Sequence, residues 1–140
     1  MSGRKLYFGH PVNVYNTPLE QELLEKIAEI FPGWEIENPN QRHHAGGYEK
    51  YKNETGNGMD YYTEVVLPSC SAGIFLGFRD GTWGAGVFRE ALHFADAQQP
   101  VWEISPSGSV SSPDINLIKV LSVSETRMRI RTEDGKPKPY

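Results

Sequence analysis

The run "AGIFLGF" at residues 72–78 leaves this chain the fewest choices. It is short and apolar throughout, without the alternation of a strand that has one wet face, so it is expected to be a central, buried strand. A glycine-rich turn, "RDGTWGAG", follows it directly. The next segment, "GVFREALHFADA", carries helical spacing and is expected to bury Val87, Ala91, Leu92 and Ala95. Strand, glycine turn and helix in that order are the building unit of an α/β fold.

The rest of the chain repeats the unit. "KLYFGH" is an apolar and aromatic run ending at Gly9, as a buried strand would. In "TPLEQELLEKIAEIF", Thr17 can cap a helix, Pro18 suits its first position and Glu20 completes a Thr-x-x-Glu capping box. Leu19, Leu23, Leu24, Ile27, Ile30 and Phe31 form its apolar stripe. "WEIEN" and "PVWEI" read as further strands, and "MDYYTEVVLP" as a short helix ended by Pro68. Residues 40–58 are polar and glycine-rich without a period, and read as a long loop with at most one helical turn. "SPSGSVSSPD" reads as loop. "INLIKVLSV" and "TRMRIR" offer one or two strands, or a strand and a short helix, and residues 132–140 an extended tail. The expected architecture is an α/β three-layer sandwich around a mainly parallel five-stranded sheet, in one domain spanning residues 1–140.

Charge and cysteine content narrow the function. A net charge of −4 argues against a nucleic-acid polymer as partner, although a free nucleotide needs only a few local donors. Cys70 is the single cysteine, so no intrachain disulfide forms, and its place beside a buried strand suits packing better than nucleophilic chemistry. No apolar stretch approaches membrane-spanning length and no cleavage pattern opens the chain, so the expectation is a cytoplasmic protein without a membrane partner.

Ligands of such folds bind beyond the carboxyl ends of the strands. "FGHP", "FRDGTWGAG" and the loop after Ile104 would open on that edge. Gly84 and Gly86 either make a tight connection or leave helix N–H groups free for an anion. Glu90, four residues after Gly86, reads as a first-turn carboxylate favoured by the helix dipole, or as a nucleophile or base. Asp80 could converge with it as acid or partner, though Asp-Gly is also an ordinary turn pair. Tyr7 and His10 come from the first strand and its exit, Tyr7 being equally explicable as core. Trp83 could be a lid or a stacking platform for a base. Ser71, Thr82, Ser105 and Ser107 are available donors for a phosphate. His43 and His44 lack a third ligand at metal spacing, so no metal and no cofactor is expected. Arg127, Arg129 and Arg131 would share one face of a strand.

With those residues in view, "KLYFGHP" and "CSAGIFLGFRDGTWGAGVFREALHFADAQQPVWEI" resemble the nucleoside 2-deoxyribosyltransferase family and its nucleotide N-glycosidase relatives. The resemblance covers most of residues 5–104. It implies a flavodoxin-like fold in which Glu90 attacks the anomeric carbon of a nucleoside or nucleoside 5′-monophosphate. It further implies that Asp80 binds or protonates the base, that Tyr7 and Gly9 line the sugar site and that Gly84 and Gly86 shape the pocket. A homo-oligomer is implied as well, with the tail ending in Tyr140 able to complete a neighbour's site. Two other classes compete with this enzyme: a non-catalytic nucleotide or cofactor carrier of the same fold, and an interaction protein in which the glycine turn is only a turn.

Overall fold

The computed structural model describes residues 4–40, 42–56 and 61–140. Five strands form one sheet: β1 (Lys5–Gly9), β2 (Glu35–Glu37), β3 (Ala72–Phe75), β4 (Val101–Ile104) and β5 (Val110–Ser111). Their order is β2-β1-β3-β4-β5, which puts β3 in the middle as its apolar sequence demands. The sheet is mixed, not mainly parallel as expected. β1 pairs in parallel with β2 and β3, and β3 with β4, but β5 runs antiparallel to β4. The reason is local. Gly108 adopts φ +90°, and Ser109 O accepts from Ser105 N, so the chain doubles back at once from β4 into the segment read as loop.

Helices cover both faces. Leu6 and Phe8 of β1 and Ala72 and Ile74 of β3 pack with Leu23 and Ile27 of α1 (Pro18–Ile30). Tyr7 and Phe75 point the other way, onto Val87, Ala91 and Phe94 of α3 (Ala85–Asp96). The period of two along each strand thus feeds two separate cores, giving an α/β sandwich. In α3 the buried residues are Val87, Glu90, Ala91 and Phe94, whereas Leu92 and Ala95 are only half-buried. The sequence-based face was turned because a carboxylate occupies one of its inner positions.

Three segments depart from the sequence reading. Residues Arg42–Thr55, expected as loop, form α2. Gly47 permits this, since a Cβ there would collide with the Tyr61 ring. His43 and His44 fall in α2, and their side chains lie outside the described residues. "VSETRMRI" is α4 (Val123–Ile130), opened by a complete Ser122–Glu125 capping box, so Arg127, Arg129 and Arg131 do not share the face of a strand. The tail turns back on its own chain: Lys138 N donates to Ile130 O, and the Tyr140 hydroxyl donates to Gly77 O (2.6 Å). The tail, expected to be extended, is thus held against its own chain at Ile130 and Gly77. No helix among the described residues is long and apolar enough to cross a membrane.

Candidate active site

Order reverses between β1, whose next strand lies on one side, and β3, which lies on the other. At the carboxyl ends of these two strands the structure opens a cavity of about 330 Å³. β1 delivers Gly9 and His10 to this edge, and the turn after β3 delivers Gly84 and Gly86 at the start of α3. The walls include Tyr15, Tyr48, Tyr62, Phe78 and Val87, a lining suited to a flat apolar ring.

Glu90 is the one carboxylate among the described residues of that lining, and it is only 9% exposed. It lies in the second turn of α3, not the first, because Gly84 is the N-cap. Dipole stabilisation fades beyond the first turn, so helix-start capping does not explain it. The Tyr7 hydroxyl donates to Glu90 Oε2 from inside the sheet. Gly9 makes this approach possible: a Cβ there would stand 3.2 Å from Glu90 Oε1 and 2.5 Å from the Phe75 ring. Burial pushes the Glu90 carboxyl up to about 8, against the opposing pull of the Tyr7 hydroxyl and Arg89. The same burial, followed by the neighbouring Glu90, raises Tyr7 and Tyr15 well above the usual phenol range and Tyr62 to about 12. Three phenols thus keep their protons around one acid.

This arrangement predicts a pH dependence of stability. Between the ordinary value of 4.5 and about 8, the unfolded chain has lost the Glu90 proton while the folded chain retains it. The folded state binds more protons there, so stability falls as pH rises through that window, by up to about 1.4 kcal/mol per pH unit. Glu90→Gln removes this contribution. Denaturant titrations from pH 5 to pH 8 should show the wild-type stability falling relative to the variant; parallel curves would count against a protonated Glu90.

His10 also lines the cavity, but both ring nitrogens are committed. Nδ1 donates to the Phe8 carbonyl (2.9 Å) and Nε2 bonds Glu20 Oε2 (2.8 Å), while the ring stacks on Phe8. Glu20 therefore does not close the expected capping box. Thr17 Oγ1 accepts from Glu20 N, but the Glu20 carboxylate goes to His10, Asn16 N and Asn40. Although burial opposes ionisation, these hydrogen bonds hold Glu20 below its usual range. His10 is a fixed wall.

Tyr7 and Gly9, expected to line the sugar site, are buried behind Glu90 and are not part of the cavity lining. Two further expected residues lie elsewhere. Asp80 does not converge with Glu90. It is exposed and outside the cavity lining, with Oδ1 accepting from Thr82 N and Oγ1, and Oδ2 from Arg129 Nη1 (3.0 Å). The Arg129 guanidinium and Thr82 hold its carboxyl far below the usual range, the reverse of what an acid catalyst needs. Its work is to tie the turn to α4. Trp83 is fully buried rather than a lid or platform. Its Nε1 donates to Glu103 Oε2 (3.1 Å), and its backbone bonds Lys119 O and Leu121 N on either side of Val120.

The helix start is also less open than its glycines suggest. Thr126 Oγ1, from α4, accepts from Ala85 N (2.9 Å), and a Cβ on Gly84 would press within 3.0 Å of Thr126 Cγ2. Ser71, Thr82, Ser105 and Ser107 do not line the cavity. Residues that do, and that sequence reasoning missed, are Tyr15, Tyr48, Tyr62 and Thr126. Tyr15, four residues after the "FGHP" exit, carried the one usable signal. Tyr48 and Thr126 reach the site because α2 and α4 fold over it, and Tyr62 comes from the short helical segment Tyr62–Val66. No protein-family model, curated protein or solved structure matches this chain, so the functional reading stands on Glu90, its tyrosines and the cavity they face.

Proposed function

We propose that this chain cleaves or transfers the N-glycosidic bond of a (deoxy)nucleoside or nucleoside 5′-monophosphate, with Glu90 as nucleophile. The observation that carries the reading is Glu90 in the wall of an aromatic cavity, held from behind by the buried Tyr7 hydroxyl. A Glu90 oxygen attacks the anomeric carbon, and the bond to the base breaks with its electron pair leaving on the base nitrogen, which takes up a proton from solvent water. Water or a second base then opens the glycosyl ester and returns Glu90 to its carboxylate. The Tyr7 hydroxyl holds one Glu90 oxygen, favours the ionised form and leaves the other oxygen, beside Gly9, to react. Asp80 has no part in this scheme. The flavodoxin-like assignment belongs to the same proposal: the strand order 2-1-3-4-5 supports it, with β5 reversed.

The test is incubation with nucleosides and their monophosphates, with and without an acceptor base, followed by chromatography for free base. The rate is expected to climb with pH toward about 8 as Glu90 ionises. Tyr7→Phe should move that limb to higher pH and lower the plateau on the order of tenfold or more. An unchanged limb in Tyr7→Phe would remove Glu90 as the titrating nucleophile.

One observation favours a second reading, a non-catalytic carrier of the same ligands. Burial that keeps Glu90 protonated suits a hydrogen-bonding wall as well as a dormant nucleophile. A carrier would bind nucleosides or nucleotides without releasing base at any pH.

A further inference from the structure

Beside the Glu90 cavity, a second hollow of about 420 Å³ runs along the junction of α3 and α4. Tyr48, Gly86, Thr126 and Ile130 belong to the walls of both, so the two spaces adjoin. Their chemistry differs. Arg89 of α3 and Arg127 and Arg131 at the end of α4 line the second hollow, and among the described residues no carboxylate does. In a chain of net charge −4 this is a local reversal of sign.

The arginines of α4 divide by role. Arg129 is bound to Asp80 and lies over the Phe78 ring, so it serves the fold. Arg127 and Arg131 stand one helical turn apart, a spacing at which like charges face each other and weaken the helix. Among the described residues neither makes an ion pair. Their place at the carboxyl end of α4 suits the helix dipole, but that modest gain does not call for two guanidinium groups facing one hollow, and a bound anion would.

We infer that this hollow seats a phosphoryl group on the ligand whose base and sugar occupy the Glu90 cavity, so that the ligand is a nucleotide and not an unphosphorylated nucleoside. The inference rests on the reading of that cavity as a nucleoside site. A guanidinium presents paired N–H donors that match phosphate oxygens, and is the weakly hydrated cation that phosphate recognition favours. One phosphoryl group carries about −1.5 to −2 charges at neutral pH. The Arg127–Arg131 pair balances it. Gly86, in the first turn of α3, adds the positive end of a helix to the shared wall.

Calorimetric titration of the full chain with the four common deoxynucleosides, their 5′-monophosphates and inorganic phosphate tests this. The comparison protein is the Arg127→Gln/Arg131→Gln double variant, in which both replaced side chains are exposed and glutamine keeps the helix propensity. A monophosphate is expected to bind at least about tenfold tighter than its parent nucleoside at low salt, an advantage that shrinks as salt rises. In the double variant the ratio should fall toward one. Equal affinities in the wild type, or an advantage that survives the double substitution, overturn the inference. Arginine-dependent nucleotide binding without base release would instead overturn the glycosidic chemistry and leave the phosphate seat standing. Binding of neither class overturns both.

Discussion

Glu90→Gln is expected to abolish base release, lowering kcat/KM on the order of 10⁴-fold, while the fold and the ligand affinity persist. Glutamine has the same shape and can still accept the Tyr7 hydroxyl, so neither partner of that buried contact is left unsatisfied. It cannot form the glycosyl ester. No second carboxylate lines the cavity among the described residues to take over, since Asp80 is bound to Arg129 outside it. The measurement is turnover and binding on one preparation. Full turnover in the variant would remove Glu90 as nucleophile. Lost turnover with retained affinity separates the enzyme from the carrier, because the carrier reading has no turnover to lose.

Trp83→Ala is expected to have the largest effect on stability, costing about 3–5 kcal/mol. The indole is fully buried against Phe75, with ring centroids 5.8 Å apart, and its loss also leaves Glu103 without the Nε1 donor. Against a typical stability of about 5–15 kcal/mol, the melting temperature should fall by roughly 10 °C or more. The effect reaches the site by a physical route. Trp83 bridges to Val120, and that segment leads into α4, whose Thr126 and Ile130 line the cavity. Trp83→Phe, which keeps most of the buried ring, should recover much of the loss. An unchanged melting temperature with weakened ligand binding would return Trp83 to the role of stacking platform.

Much of the frame was legible in the residues. The apolar run 72–78 does supply the central strand, although only Ala72–Phe75 of it is strand, and the strands at "KLYFG", "EIE" and "VWEI" stand where their patterns put them. Thr17 and Pro18 open α1 as their chemistry requires. The fifth strand was misplaced. Val110–Ser111 is a two-residue edge, held by register with β4 and by Gly108, and two residues carry no period to read. α2 was missed for a related reason. It shows no apolar stripe, and it packs where Gly47 clears Tyr61, a fit between residues distant from any local pattern.

For the site, the sequence by itself singled out Glu90, Asp80, Tyr7, His10 and Trp83, because strand ends and the glycine turn bring such residues to one edge of any α/β sheet. Gly9 was implied by the family resemblance. Only the tertiary structure decided what each does there. Burial of Glu90 beside Tyr7, the commitment of His10 to Glu20, the removal of Asp80 to Arg129 and the sinking of Trp83 into the core all depend on contacts across the sheet or onto α4. Local pattern determines which backbone element a residue joins. The charge state and reach of its side chain are set by neighbours distant in sequence, through desolvation and hydrogen bonding that no spacing encodes.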